Sequence, residues 1–203
     1  MTARQIASAC GGRIVSGNAD ATVLRVWTDS RGVRPGDCFC ALRGDRFDGH
    51  DFVAAAVSSG AVAVVVERDM AVQGDAAVIR VDDVLGALQR LAGWYRAGLT
   101  IPVVAVGGSN GKTSTKELVA CALSSGFRVA KTRGNLNNHI GAPLTLLEIG
   151  PEHGAAVIEV GTNHPGEIAA LAAITAPTVG VITNIGPEHL EFFKDEAGVA
   201  KEE

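Results

Sequence analysis

Residues 101 to 117, Ile-Pro-Val-Val-Ala-Val-Gly-Gly-Ser-Asn-Gly-Lys-Thr-Ser-Thr-Lys-Glu, admit few folds. Val103, Val104 and Val106 are β-branched and suit a parallel strand covered on both faces. Gly107, Gly108 and Gly111 then let the chain turn tightly, with amide N–H groups turned towards an anion. Lys112 adds a point charge, and Thr113 stands where a phosphate loop holds Mg²⁺. The helix that begins here directs its positive end at the same spot. The stretch reads as a nucleotide phosphate site. The strict pattern asks for glycine where Val106 stands, so only the Gly-x-x-Gly-Lys-Thr core is met.

Composition narrows what surrounds that loop. The chain has 203 residues, 47% apolar and 20% charged, enough for one large domain or two modest ones with their own cores. A net charge of −4 supplies no basic footprint for nucleic acid, so no nucleic-acid partner is expected. Cys10, Cys38, Cys40 and Cys121 make no Cys-x-x-Cys pair and no zinc spacing. Cys38 and Cys40 are expected on one strand face as small buried hydrophobes. No basic-then-apolar leader and no apolar run of spanning length is present, so a cytoplasmic setting without membrane insertion is expected.

Taken in order, residues 2–10 read as a short helix stopped by Gly11-Gly12. Strands are expected at Val23–Trp27, Cys38–Leu42, Ala61–Val66 and Ala77–Val81, with a helix at 51–59 turning Phe52, Ala55 and Ala56 inward. Between them lies the polar loop from Arg43 to His50. Asp82 to Ala97 shows Val84, Leu88, Leu91 and Tyr95 at helical spacing, capped by Asp82 or Asp83 and ended near Gly98. After the loop helix (112–124) come strands at Arg128–Thr132, Ala155–Val160 and Thr178–Thr183, with helices at 141–149 and 165–173. The fold class is α/β: a small α/β N-terminal domain (1–82), a linking helix (83–100) and a P-loop parallel-sheet domain (101–203).

Ligands of a parallel sheet sit beyond the carboxyl ends of its strands. Glu159 ends one strand, Asn184 to His189 follow another, and residues 133–145 form a third polar rim loop. A carboxylate at such a position is where a nucleotide enzyme holds Mg²⁺. Taken singly, Glu159 could be a strand-end charge, His189 a capping or packed histidine, and Asn137 and Asn138 turn formers. Convergence of three polar loops on one phosphate site favours the functional reading.

Gly108-Ser-Asn-Gly-Lys-Thr-Ser-Thr-Lys-Glu117 resembles the ATP site of the Mur ligase family of peptidoglycan synthesis. Gly134-Asn-Leu-Asn-Asn-His-Ile-Gly-Ala-Pro-Leu-Thr-Leu-Leu147 and Glu159-Val-Gly-Thr-Asn-His-Pro-Gly-Glu-Ile168 resemble the branch that adds D-alanyl-D-alanine to UDP-N-acetylmuramoyl-tripeptide. Asp29-Ser-Arg31, Pro35-Gly-Asp37 and Asp48-Gly-His-Asp-Phe52 are similar to its UDP-substrate domain.

The resemblance implies a monomeric ligase that activates a substrate carboxylate with ATP and Mg²⁺ as an acyl phosphate, which the dipeptide amine then attacks. It implies nucleotide contacts from Gly108, Ser109, Asn110, Gly111, Lys112, Thr113 and Ser114. Thr113 and Glu159 are implied to ligate one Mg²⁺ and His189 to help hold a second near the acyl phosphate, and Lys112, Glu159 and His189 are implied as catalytic. Ser30, Arg31, Arg46, Asp48, Gly49 and His50 are implied at the UDP-sugar, and Asn137, Asn138, Asn163 and His164 along the sugar-peptide path. The family has three domains, so the chain is expected to be a fragment, incomplete in its second domain, with little or no ligase activity alone. The family's carbamylated lysine would fall at Glu203, with Lys201 a register-shifted substitute. The alternatives are a diamino-acid-adding or folylpolyglutamate-type ligase, which the runs at 137 and 163 oppose, and a non-catalytic UDP-substrate-binding module, which intact Lys112, Thr113, Glu159 and His189 oppose.

Overall fold

The computed structural model describes residues 1–44 and 46–203; in the Arg43–His50 loop, Asp45 lies outside the described residues. The chain divides into two compact units, Met1–Leu91 and Ala92–Glu203.

The first unit opens with α1 (Ala3–Ala9). Thr2 and Gln5 form a reciprocal capping box that satisfies two N-terminal amides and fixes where this helix starts. There follow β1 (Arg13–Ser16), β2 (Arg25–Trp27), β3 (Asp37–Cys40), α2 (Val53–Ser58), β4 (Ala63–Val66) and β5 (Ala77–Arg80). The sheet order is β1-β5-β4-β3-β2; β1 runs antiparallel to β5 and the other pairings are parallel. Phe39, Val64, Val66 and Val78 pack with Val53 and Ala56 of α2 in the core. The inward face of α2 is therefore Val53 and Ala56, whereas Phe52 is exposed and precedes the helix in a 3-10 turn, Gly49–Phe52, that rotates the register. β1 has no counterpart among the expected strands. Its four residues are mostly exposed at a sheet edge and carry no apolar run.

Asp37 is a buried carboxylate that the structure pays for locally. Arg25 clasps it from β2 with Nε at 3.0 Å and a second nitrogen at 2.5 Å, and the Arg34 amide donates to it at 2.7 Å. A forked guanidinium and a backbone donor offset desolvation, and they fix β2 on β3 in the observed register.

Helix α3 (Val84–Ala97) starts where Asp83 accepts from the amides of Leu85 and Gly86. Val84, Leu88 and Leu91 are buried, each stabilising by roughly 2 kcal/mol. The division between the units falls within this helix.

The second unit continues with β6 (Val103–Gly107), α4 (Lys112–Leu123), β7 (Val129–Lys131), α5 (Gly141–Leu147), β8 (Ala155–Glu159), α6 (Glu167–Thr175), β9 (Val179–Ile182), α7 (Leu190–Phe193) and α8 (Glu196–Glu202). Its sheet is parallel throughout, in the order β7-β8-β6-β9. β6 and β8 are buried along their whole length, as their β-branched runs require. β9 is expected to be a buried strand, yet Val179 and Ile182 are about half exposed, because an outermost strand has a neighbour on one side only. Arg96 at the end of α3 is buried and donates to the carbonyls of Thr175 and Ala176, closing the C-terminus of α6. Among the described residues, no helix is long and apolar enough to cross a membrane.

Cys10, Cys38 and Cys40 are buried, and Cys121 is exposed on α4. Burial, then the neighbouring Cys40, pushes the Cys10 thiol up to about 11. The hydrogen bond with Cys40 and burial raise Cys38 as well. Thiolate is the reactive form, so only Cys121 should react quickly with a disulfide reagent in the folded chain at neutral pH. The expected titration is one fast equivalent, abolished by Cys121→Ser, and four equivalents after denaturation.

Candidate functional site

The site is assembled at the carboxyl ends of the central strands. Pairing of β6 with β8 sets Val106 beside Glu159, and pairing with β9 sets Gly107 beside Ile182. The loop after β6, the carboxylate that ends β8 and the segment after β9 therefore emerge together.

That last segment shapes the loop. The Ser109 amide donates to the Asn184 carbonyl at 3.0 Å, and the Asn110 amide to Asn184 Oδ1 at 2.8 Å. Ser109 Oγ exchanges hydrogen bonds with Gly186, and Thr183 Oγ1 donates to the carbonyls of Gly107 and Asn110. Gly108 has φ +106°, and a Cβ there would lie 2.4 Å from Thr183 Oγ1, so glycine is required by both backbone and space. Gly111 has φ +79° and nothing within 4 Å of a notional Cβ.

The amides of 108–110 are thus already engaged, Gly108 by Glu203 Oε2 at 2.7 Å. The first bond of α4 runs from Thr115 N–H to the Gly111 carbonyl, so the amides of Gly111 to Ser114 lie ahead of the helical ladder and point out of its N-terminus. This refines the expectation that the 108–111 backbone cradles phosphate: its first three residues hold the loop, and the outward donors begin at Gly111. Lys112 folds back so that Nζ donates to the Gly108 carbonyl at 2.5 Å and lies 3.8 Å from Glu188. Thr113 and Ser114 are exposed on the first turn.

Glu159 is 2% exposed. Thr113 Oγ1 lies 3.2 Å and Asn137 Nδ2 3.0 Å from its Oε1. Its Oε2 is buried without a hydrogen bond, as are Glu188 Oε1 and Glu203 Oε1. Burial and Glu188 raise the Glu203 carboxyl above its ordinary range, although the Gly108 amide opposes them. A hydroxyl and a buried carboxylate oxygen, Thr113 Oγ1 and Glu159 Oε1, beside a helix N-terminus suit a hard, oxygen-seeking cation such as Mg²⁺.

The structure brings Thr113 and Glu159 together but not His189. That residue sits in the left-handed region (φ +46°) at the start of α7, its ring 3.8 Å from Glu191. Among the described residues, no three His, Cys, Asp or Glu side chains are arranged to hold an ion. Asn137, expected on a substrate path, donates to Glu159. Asn138 Oδ1 accepts from the amides of Ile140 and Gly141 and serves the start of α5. Asn163 and His164 are exposed, and both their amides donate to Glu167. Lys201 is exposed, whereas Glu203 reaches the loop.

In the first unit, a cavity of about 470 Å³ is lined by Ser30, Arg31, Phe39, Phe47, Gly49 and Phe52 among others. Arg31 is exposed and paired with Asp29, which caps its turn. Arg46 is exposed. His50, expected at the UDP-sugar, has a ring that is 2% exposed, with Nδ1 2.6 Å from Asp48 and Nε2 accepting from the Glu67 amide at 2.9 Å. Both ring nitrogens are engaged inside the protein, so in this structure His50 braces the loop. Asp48, which also accepts the His50 amide, is a cap, and those bonds hold its carboxyl below the usual range. A larger cavity of about 830 Å³, beside Asn18, Ala54 and residues 71–76, contains none of the expected site residues.

Known proteins match this arrangement over nearly all of the chain. A family profile described as "Mur ligase middle domain" matches residues 106–203, and one described as "Mur ligase family, catalytic domain" matches residues 22–96. The UDP-N-acetylmuramoyl-tripeptide--D-alanyl-D-alanine ligase of Escherichia coli is 46% identical over 90% of this chain and 40% of its own length. The ligase of the same name from Synechocystis is 45% identical with the same coverage. Crystal structure I of MurF from Acinetobacter baumannii superposes with a TM-score of 0.91 and 40% identity, over 99% of this chain and 44% of that one. MurF of Thermotoga maritima, solved in complex with ADP, gives 0.79 and 38% identity, over 88% and 41%. The chain spans about two fifths of the length of the curated relatives it matches.

Gly108→Ala should cost at least about 2 kcal/mol, since it combines a strained φ with a clash. Gly111→Ala should cost only about 1 kcal/mol, from φ alone. Urea melts of both variants against the parent check the ranking.

Proposed function

Since the chain belongs to the Mur ligase family, we propose that it is the UDP-substrate- and ATP-binding portion of a ligase that adds D-alanyl-D-alanine to UDP-N-acetylmuramoyl-tripeptide. The observation that carries this reading furthest is the Thr113 hydroxyl 3.2 Å from the buried Glu159 carboxylate, beside the open amides of α4. Residues 1–82 would take the UDP-substrate, with 83–100 as the link and 101–203 as the ATP domain. Cytoplasmic location and a monomeric state accord with this reading.

In the proposed reaction, ATP phosphorylates the carboxylate of the tripeptide substrate, giving an acyl phosphate and ADP. The amine of the dipeptide then displaces phosphate to form the amide. A carboxylate and a triphosphate repel one another, so the protein must neutralise and orient them. Lys112 would release the Gly108 carbonyl and turn its ammonium to the β- and γ-phosphates, and the amides of Gly111 to Ser114 would donate to phosphate oxygens. Thr113 and Glu159 would hold Mg²⁺, which supplies charge neutralisation between the phosphates and the attacking carboxylate. Half-buried His189 is proposed to help hold a second Mg²⁺ near the acyl phosphate.

The cavity at Ser30 and Arg31 would receive the uridine diphosphate end. Asp29 takes the Nε and Nη2 edge of Arg31 and holds its guanidinium at the rim, where a diphosphate would meet the remaining N–H groups. Exposed Phe47 and Phe52 supply apolar area for a base. Asn163 and His164, at a loop organised by Glu167, are proposed along the path of the sugar peptide.

Two substitutions test the two halves separately. Lys112→Ala should weaken ATP binding by calorimetry by about tenfold or more, the worth of one charged hydrogen bond. Arg31→Ala should weaken UDP-N-acetylmuramoyl-tripeptide binding several-fold and leave ATP binding unchanged. Unaltered ATP affinity in Lys112→Ala would overturn the phosphate-site assignment.

A further inference from the structure

One strongly charged group has no part in the scheme above. Lys116 is on α4, one turn after Lys112, and is fully buried at 0% exposure. A lysine is almost never enclosed in this way unless its charge is matched. Its ammonium lies 3.4 Å from Glu159 Oε2 and 3.3 Å from Glu117 Oε1, and it donates to the Gly134 carbonyl at 3.3 Å. Glu117 is itself paired with Lys131 on β7.

The two oxygens of Glu159 are thereby treated differently. Oε1 faces the Thr113 hydroxyl and the Asn137 amide. Oε2 is buried, accepts no hydrogen bond, and has the Lys116 ammonium as its ionic neighbour. Lys116 also grips Gly134, at the head of the rim loop that carries Asn137. One buried cation thus anchors the far oxygen of the carboxylate and the loop whose amide meets the near one.

We propose that Lys116 is a positioning residue that fixes the Glu159 carboxylate so that one oxygen is presented beside Thr113 to the cation that accompanies nucleotide. This rests on the reading of Thr113 and Glu159 given above. A lysine acting only as a counter-charge would repel an arriving divalent cation, and its removal would strengthen cation binding. A lysine that aims the carboxylate has the opposite signature: without it the side chain swings and the cation is held less well.

The test is ATP binding to the 203-residue chain by calorimetry, in EDTA and in Mg²⁺, for the parent and Lys116→Gln. The parent should bind ATP more tightly in Mg²⁺. Lys116→Gln should keep the EDTA affinity within about twofold, because the loop and Lys112 are intact, and lose most of the Mg²⁺ enhancement, about tenfold. Lys116→Arg should restore part of it. Full or increased enhancement in Lys116→Gln would overturn the positioning role alone. A parent chain with no Mg²⁺ enhancement would overturn the cation reading of Thr113 and Glu159 and this proposal with it. If Lys116→Gln fails to fold, melting of Lys116→Gln/Glu159→Gln decides: recovered stability supports the pairing of Lys116 with Glu159, and no recovery overturns it.

Discussion

Parallel pairing of β6 with both β8 and β9 is the constraint on which the rest of the second unit depends. It places a buried strand in the middle of the sheet and brings three chain segments out at one edge. Because Val106 lies beside Glu159 and Gly107 beside Ile182, the register also decides which atoms meet there. A shift of one residue would turn Glu159 to the other face of the sheet and leave its carboxylate away from α4.

The loop is rigid for a reason that is not visible within the loop. Three of its amides are taken by groups distant in sequence, two at Asn184 and one at Glu203. Thr183 closes over Gly108 so tightly that only a residue without Cβ fits. Spending these donors on the protein sets the first turn of α4 in place and leaves the following four amides open at its N-terminus. Beneath it, the Lys116–Glu159 pair places two opposite charges where neither could be buried alone.

The first unit uses charge in a related way. Asp37 opens β3 and Asp48 caps a 3-10 turn, and each is matched by nearby donors: Arg25 and the Arg34 amide for one, His50 and the His50 amide for the other. Residue types that look ligand-seeking in a polar loop can therefore be its scaffold, as His50 is.

Local chemistry was enough to determine the strand-turn-helix from Val103 to Leu123, the glycines at Gly108 and Gly111, and most helix limits, since β-branching, positive φ and capping act over a few residues. The motifs from Gly108, Gly134 and Glu159 likewise carried the family. Tertiary structure alone decided the short edge strand β1, the exposure of β9, the inward face of α2 and the elements α7 and α8. It also decided what the polar residues do. Asn137 bonds Glu159, His50 is sealed by Glu67 as well as Asp48, and Lys116 becomes the partner of Glu159. Hydrogen bonding is satisfied by whichever group the fold brings within about 3 Å, and partners 17 to 95 residues away leave no mark on local sequence pattern.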